Sequence, residues 1–130
     1  MYKRQLYRRD ALPDPAFPPR FTGASHLEDL SLSAEIGKRW KLANARTARI
    51  YHDSQPGSHK ADHVAHARQE LTNRHYVMTE VLGRRSARHH LGLLVSHLYQ
   101  TTASCYRTPG RLLSRLLGSA LAAGQILVSR

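Results

Sequence analysis

From residue 63 onward the apolar residues recur at helical spacing, and this periodicity constrains the chain more than any other feature. Val64, Ala67, Leu71, Met78 and Leu82 outline one stripe. Leu91, Leu94, Val95, Leu98 and Thr102 form a second, and Leu113, Leu116, Leu117, Ala120 and Leu121 a third. Residues that return every three or four positions share one face of an α-helix, so three helices are expected. The last has a clear start, with Thr108 as cap and Pro109 at the first helical position. Gly92, Gly118 and Gly124 interrupt the second and third stripes, so these helices should depend on packing rather than on propensity.

The first half reads differently. Four of the six prolines fall between Pro13 and Pro19, where missing amides and a fixed φ exclude both helix and central strand. Ser25-His26-Leu27-Glu28 fits a capping box, Leu27 and Leu30 sit three apart with Ala34 a turn further, and Gly37 supplies a stop. A short helix over about residues 26–36 is expected. Residues 40–44 and 47–52 follow with period-2 character and are expected as strands, Ala48, Ile50 and His52 sharing one face. Asp53 to Ser58 form a loop. The expected fold is therefore an incomplete α/β layer over residues 1–57, with two short strands, followed by a helical extension over residues 58–130. Trp40 is expected in the core.

Charge is unevenly placed. The net charge is +11, and residues 81–130 hold seven Arg and no acid, whereas residues 21–80 hold eight basic residues against seven acids. The excess belongs to the C-terminal helices. A basic tract with interleaved leucine can face anionic lipid, nucleic acid or a polyanionic partner. Arg84, Arg85, Arg88 and His89-His90 open those helices in the pattern of an amphipathic element on an anionic membrane, and packing on a further domain explains it equally well. No uninterrupted apolar run approaches the roughly 20 residues that cross a bilayer, and residues 1–5 do not resemble a signal peptide. Cys105 is the one cysteine, so it forms no internal disulfide and is expected to be small, buried packing.

Two chemical patterns stand out. Glu28-Asp29 places adjacent carboxylates in a first helical turn, where free amides and the macrodipole favour their ionised forms. Capping alone accounts for that placement. His59, His63 and His66 could present imidazoles on neighbouring turns, but no thiol or carboxylate completes a zinc set, and chance spacing on a solvated helix is the default reading. Asn73-Arg74-His75-Tyr76 is read as packing.

The order of features across residues 21–52 resembles the C-terminal part of family 2 glycosyltransferases of the GT-A fold. It runs from Phe21-Thr22-Gly23 through Glu28-Asp29 and Gly37-Lys38-Arg39 to Arg49-Ile50-Tyr51-His52. The weaker resemblance extends over about residues 6–83, with Tyr7-Arg8-Arg9 as a basic pair ahead of it. The resemblance implies an inverting sugar transfer. Asp29 would act as the base that deprotonates the acceptor hydroxyl, Glu28 would orient the acceptor or remain a cap, and His52 would help hold Mg²⁺ or Mn²⁺ on the donor diphosphate. The partners implied are a nucleotide-sugar donor and a glycan or lipid-linked acceptor, with peripheral membrane contact through the basic helices, no nucleic acid, and a cytoplasmic location at the inner face of the membrane.

The chain also departs from the family. It has no Asp-x-Asp pair and no Gly-rich phosphate loop. The expectation is an acceptor-side portion, inactive by itself, of a longer transferase. The alternative is a basic helical adaptor that binds nucleic acid or a large assembly through residues 81–130.

Overall fold

A computed structural model describes residues 6–21, 26–43, 47, 61–106 and 108–128. The α/β expectation is overturned there: the described residues contain helices and no strand. Residues 40–43 are a bend and irregular exposed backbone, so the first expected strand does not form over them. Asn44, all of the second expected strand except Thr47, and His52 lie outside the described residues.

Four α-helices carry the architecture. Helix α1 spans Glu28–Ile36, α2 His63–Tyr76, α3 Ala87–Cys105 and α4 Leu112–Val128. A π-helical turn at Val77–Val81 prolongs α2, and a 3-10 turn at Pro109–Arg111 leads into α4. Helix α1 begins two residues later than the capping box implies. Leu27 occupies the cap position at φ 70°, a left-handed conformation that costs a non-glycine residue about 1–2 kcal/mol. Burial of its side chain and of Phe21, Leu32 and Ile36 offsets that cost. Leu30, expected on the inner stripe, is exposed, and Ser31 takes the inward position. Trp40 is likewise exposed, with the Arg8 guanidinium 5.1 Å above its ring, so the expected core tryptophan is a surface residue.

Helix α2 starts from Asp62, whose carboxylate accepts a 2.9 Å hydrogen bond from the Ala65 amide. At its far end the Leu82 amide donates to the Val77 carbonyl, and the Arg84 amide donates back to Met78, both at 2.9 Å. Gly83 closes this widened turn at φ 64°, where a residue with a Cβ would be strained. Helix α1 rests on the π turn, and the Phe21 ring meets Tyr76 edge-on at 5.9 Å. The Asn73 amide ties the two regions together by donating to the His26 carbonyl at 2.7 Å.

The main interface is α4 on α2, and α3 touches both far less. At the α2–α4 contact a Cβ on Gly118 would stand 2.2 Å from the Val64 carbonyl oxygen. The helices therefore approach backbone to backbone, which only glycine permits. Gly118 and Ala122 are the buried residues of α4, while Leu113, Leu117 and Leu121 point away from the interface. In α3 the buried residues are His97, Thr101 and Cys105, and Leu91, Leu94, Val95 and Leu98 are exposed. The leucine stripes of both helices thus face outward.

Candidate functional site

Glu28 and Asp29 occupy the first turn of α1, both half-buried. The Asp29 carboxylate accepts from the Leu30 amide at 2.8 Å, which satisfies one of the orphan donors of the helix start. The Asp29 carbonyl accepts from the Ser33 hydroxyl, and that hydroxyl in turn accepts from Tyr7 at 2.8 Å. The N-terminal segment therefore braces the carboxylate-bearing turn. His52 lies outside the described residues, as does His59, so the expected meeting of Asp29 with His52 is not placed. Among the described residues no group of three or more His, Cys, Asp or Glu side chains could hold a metal ion.

A cleft of about 490 Å³ opens between the Pro-rich segment, α2, the start of α3 and the end of α4. Its walls include Arg20, His75, Tyr76, Glu80, Arg85 and His90. The Arg20 guanidinium lies 4.0 Å over the Tyr76 ring, a cation–π contact. Arg85 pairs with Glu80 at 2.8 Å, so its charge is largely compensated. His75 and His90 approach through their Nε2 atoms at 3.3 Å, and His90 Nδ1 sits 3.0 Å from the Ser86 carbonyl. That pattern assigns His90 Nδ1–H as donor to Ser86 and His75 Nε2–H as donor to His90. Arg20, His75 and His90 come from segments far apart in sequence, so linear spacing gave no sign of this cleft. Within the Asn73-Arg74-His75-Tyr76 run, His75 and Tyr76 turn to it while Asn73 and Arg74 turn inward.

The inward side holds a buried ion cluster. Glu70, 8% exposed, pairs with Arg115 of α4 at 2.8 Å and with Arg74 at 3.1 Å. Arg74 also donates to the Gln100 side chain of α3 at 2.7 Å. Burial pushes the Glu70 carboxyl up, but Arg74, His26, Arg115 and His97 together outweigh it and hold it below its ordinary value. Beside it, Ser119 Oγ donates to the Arg115 carbonyl at 2.8 Å and meets His97 Nε2 at 2.8 Å. With its proton committed, the hydroxyl must accept, so His97 carries its hydrogen on Nε2. Burial lowers the His97 pKa; Glu70 opposes the shift and Arg74 and Arg115 reinforce it. A Ser–His contact beside a carboxylate invites a hydrolytic reading, but Glu70 spends both oxygens on arginines and Ser119 is back-bonded within its own helix. The geometry is that of a structural junction.

No family model matches this chain, and no curated protein or solved structure matches it.

Proposed function

We propose that this chain supplies the acceptor side of an inverting sugar transferase. Asp29 takes the proton of an acceptor hydroxyl while that oxygen attacks the anomeric carbon of a nucleotide-activated sugar, and the nucleoside diphosphate departs with the electrons of the broken bond. The observation that carries this reading is the paired carboxylate at the start of α1, set in the Phe21-to-His52 order of features, with the Asp29 side chain engaged, among the described residues, by its own helix start. A carboxylate held by a single backbone amide keeps lone pairs for an incoming hydroxyl. Glu28, on the same turn, orients the acceptor.

The α/β layer that the family resemblance implies is not part of this proposal. His52 would help hold a divalent cation, Mg²⁺ or Mn²⁺, whose charge would neutralise the leaving diphosphate. The test is sugar transfer by the complete gene product that carries this chain. Asp29→Asn should lower turnover by roughly 10²-fold or more while donor binding persists, because a general base contributes about that much. Unimpaired turnover by Asp29→Asn, or a complete product with no transfer to any glycan or lipid-linked acceptor, would overturn it.

A further inference from the structure

We infer that the outward faces of α3 and α4 form a docking surface for an anionic lipid bilayer. Helix α4 has one charged residue. Arg115 is turned inward onto Glu70 and is only 14% exposed. The opposite face is left with no charge at all. Leu113, Leu117, Leu121, Leu127 and Val128 stand exposed along it, from 49% to 89%. At 1.5 Å per residue this uncharged strip runs for about 25 Å. From its 3-10 lead onward, Pro109–Val128 is long and apolar enough to cross a membrane by length and composition, yet only 11% of it is buried against the rest of the protein.

Helix α3 extends the strip. Leu91, Val95, Leu98 and Tyr99 are more than half exposed. Leu94 and Leu98 of α3 and Leu116 and Ala120 of α4 border one apolar cavity of about 250 Å³, so the two strips meet around a common opening. A contiguous apolar surface of this kind marks an interaction site rather than ordinary surface scatter.

Charge selects the occupant. Residues 81–130 contain no acid, and Arg84 and Arg88 are exposed where α3 begins. Phosphate headgroups attract such cations while the acyl boundary accepts leucine. A nucleic acid would need cations along the contact face itself, and the exposed face of α4 has none. The Arg115–Glu70 pair holds α4 against α2, and carrying that pair into hydrocarbon would be costly, so α4 lies on the bilayer rather than across it. The proposal is independent of sugar transfer.

Sedimentation of the full chain with vesicles tests it. Binding to vesicles containing phosphatidylglycerol should exceed binding to pure phosphatidylcholine by about tenfold and should weaken as salt is raised. The double change Leu117→Glu with Leu121→Glu should reduce binding by about tenfold or more while the helical circular dichroism is unchanged, since both side chains are exposed. Arg84→Glu with Arg88→Glu should abolish the preference for the anionic vesicles and leave the fold intact. Three results would overturn the inference: equal or absent binding to the two vesicle types; a dimer without lipid that the leucine changes dissolve; or salt-sensitive RNA binding that survives them.

Discussion

Helices α2 and α4 pack on each other, yet they do so with opposite kinds of residue. In α2 the apolar stripe points inward, and Ala67 and Leu71 are among the most deeply buried side chains. In α4 Leu113, Leu117, Leu121 and Leu127 point out, and Gly118 and Ala122 are the buried residues. Periodicity identifies a helix with two faces but says nothing about which face a neighbour covers. Small residues allow close backbone approach, which gains dispersion contacts over the whole crossing; large ones gain area wherever something covers them. Helix α3 follows α4, burying His97, Thr101 and Cys105 while its leucines face out. The protein is thus one packed junction around α2, fringed by two helices whose larger apolar faces remain uncovered.

That contrast fails first at Gly118 if it is wrong. Gly118→Ala would place a methyl 2.2 Å from the Val64 carbonyl oxygen and 3.1 Å from the Ala67 Cβ. Both obstacles are fixed to the α2 backbone, so the helices must part, at a cost of about 3 kcal/mol. Urea unfolding followed by circular dichroism reads the effect directly. A neutral outcome would mean that α4 is not seated on α2 at all.

Next in size is the ion cluster. Glu70→Ala strands Arg115 and Arg74, whose side chains are 14% and 24% exposed, and should cost about 2–3 kcal/mol. Substituting Glu80, whose partner Arg85 is 67% exposed, should change the midpoint by less than about 1 kcal/mol. Comparing the two changes in the same unfolding assay separates the buried junction from the solvated fringe.

How much of this was legible in the sequence follows from the range of each interaction. The helices after residue 61, Pro109 at the first position of the turn that leads into α4, the buried Cys105 and the Glu28-Asp29 turn are local, and spacing or turn chemistry reveals them, although the Thr108 side chain forms no cap hydrogen bond. The α/β expectation fails over the described residues because the alternation at residues 40–43 is too short to fix a strand by itself, and there the backbone is a bend and irregular. The core placement of Trp40 failed because a large ring can also lie under an arginine at the surface. The start of α1 lies two residues beyond the expected one, with the buried Leu27 at the cap position. The Glu70–Arg115 pair spans 45 positions, so counting charges placed Arg115 in an exposed basic tract when it is consumed inside. The cleft around Tyr76 was hidden for the same reason, and Asp29 was visible only as a residue type at a helix start.

Acid should loosen the junction in two stages. The folded His97 ring has its pKa lowered from the ordinary 6.5, so the unfolded chain takes up this proton first and stability declines as pH falls below about 6.5. The folded Glu70 carboxyl is likewise held below its ordinary 4.5, so a second loss follows below about pH 4.5. Melting temperature against pH should fall in that order, and His97→Gln should flatten the first stage while leaving the second. A melting temperature that rose between pH 7 and pH 5 would contradict the burial assigned to His97.

The smallest effect has the opposite sign and comes from the same residue type. A Cβ at Gly124 or at Gly92 would meet nothing within 4 Å, although both lie in the interiors of helices. There glycine only adds backbone freedom to the unfolded chain, so alanine should stabilise by roughly 0.5–1 kcal/mol at each position. Gly124 lies less than two turns beyond Gly118 on one helix, so propensity is the same at both and only the neighbour differs. If Gly124→Ala destabilised as Gly118→Ala does, α4 would be enclosed on both sides and its leucines would already have a cover. A gain at Gly124 beside a loss at Gly118, measured as midpoints in one urea titration, locates the packed and the open sides of a single helix.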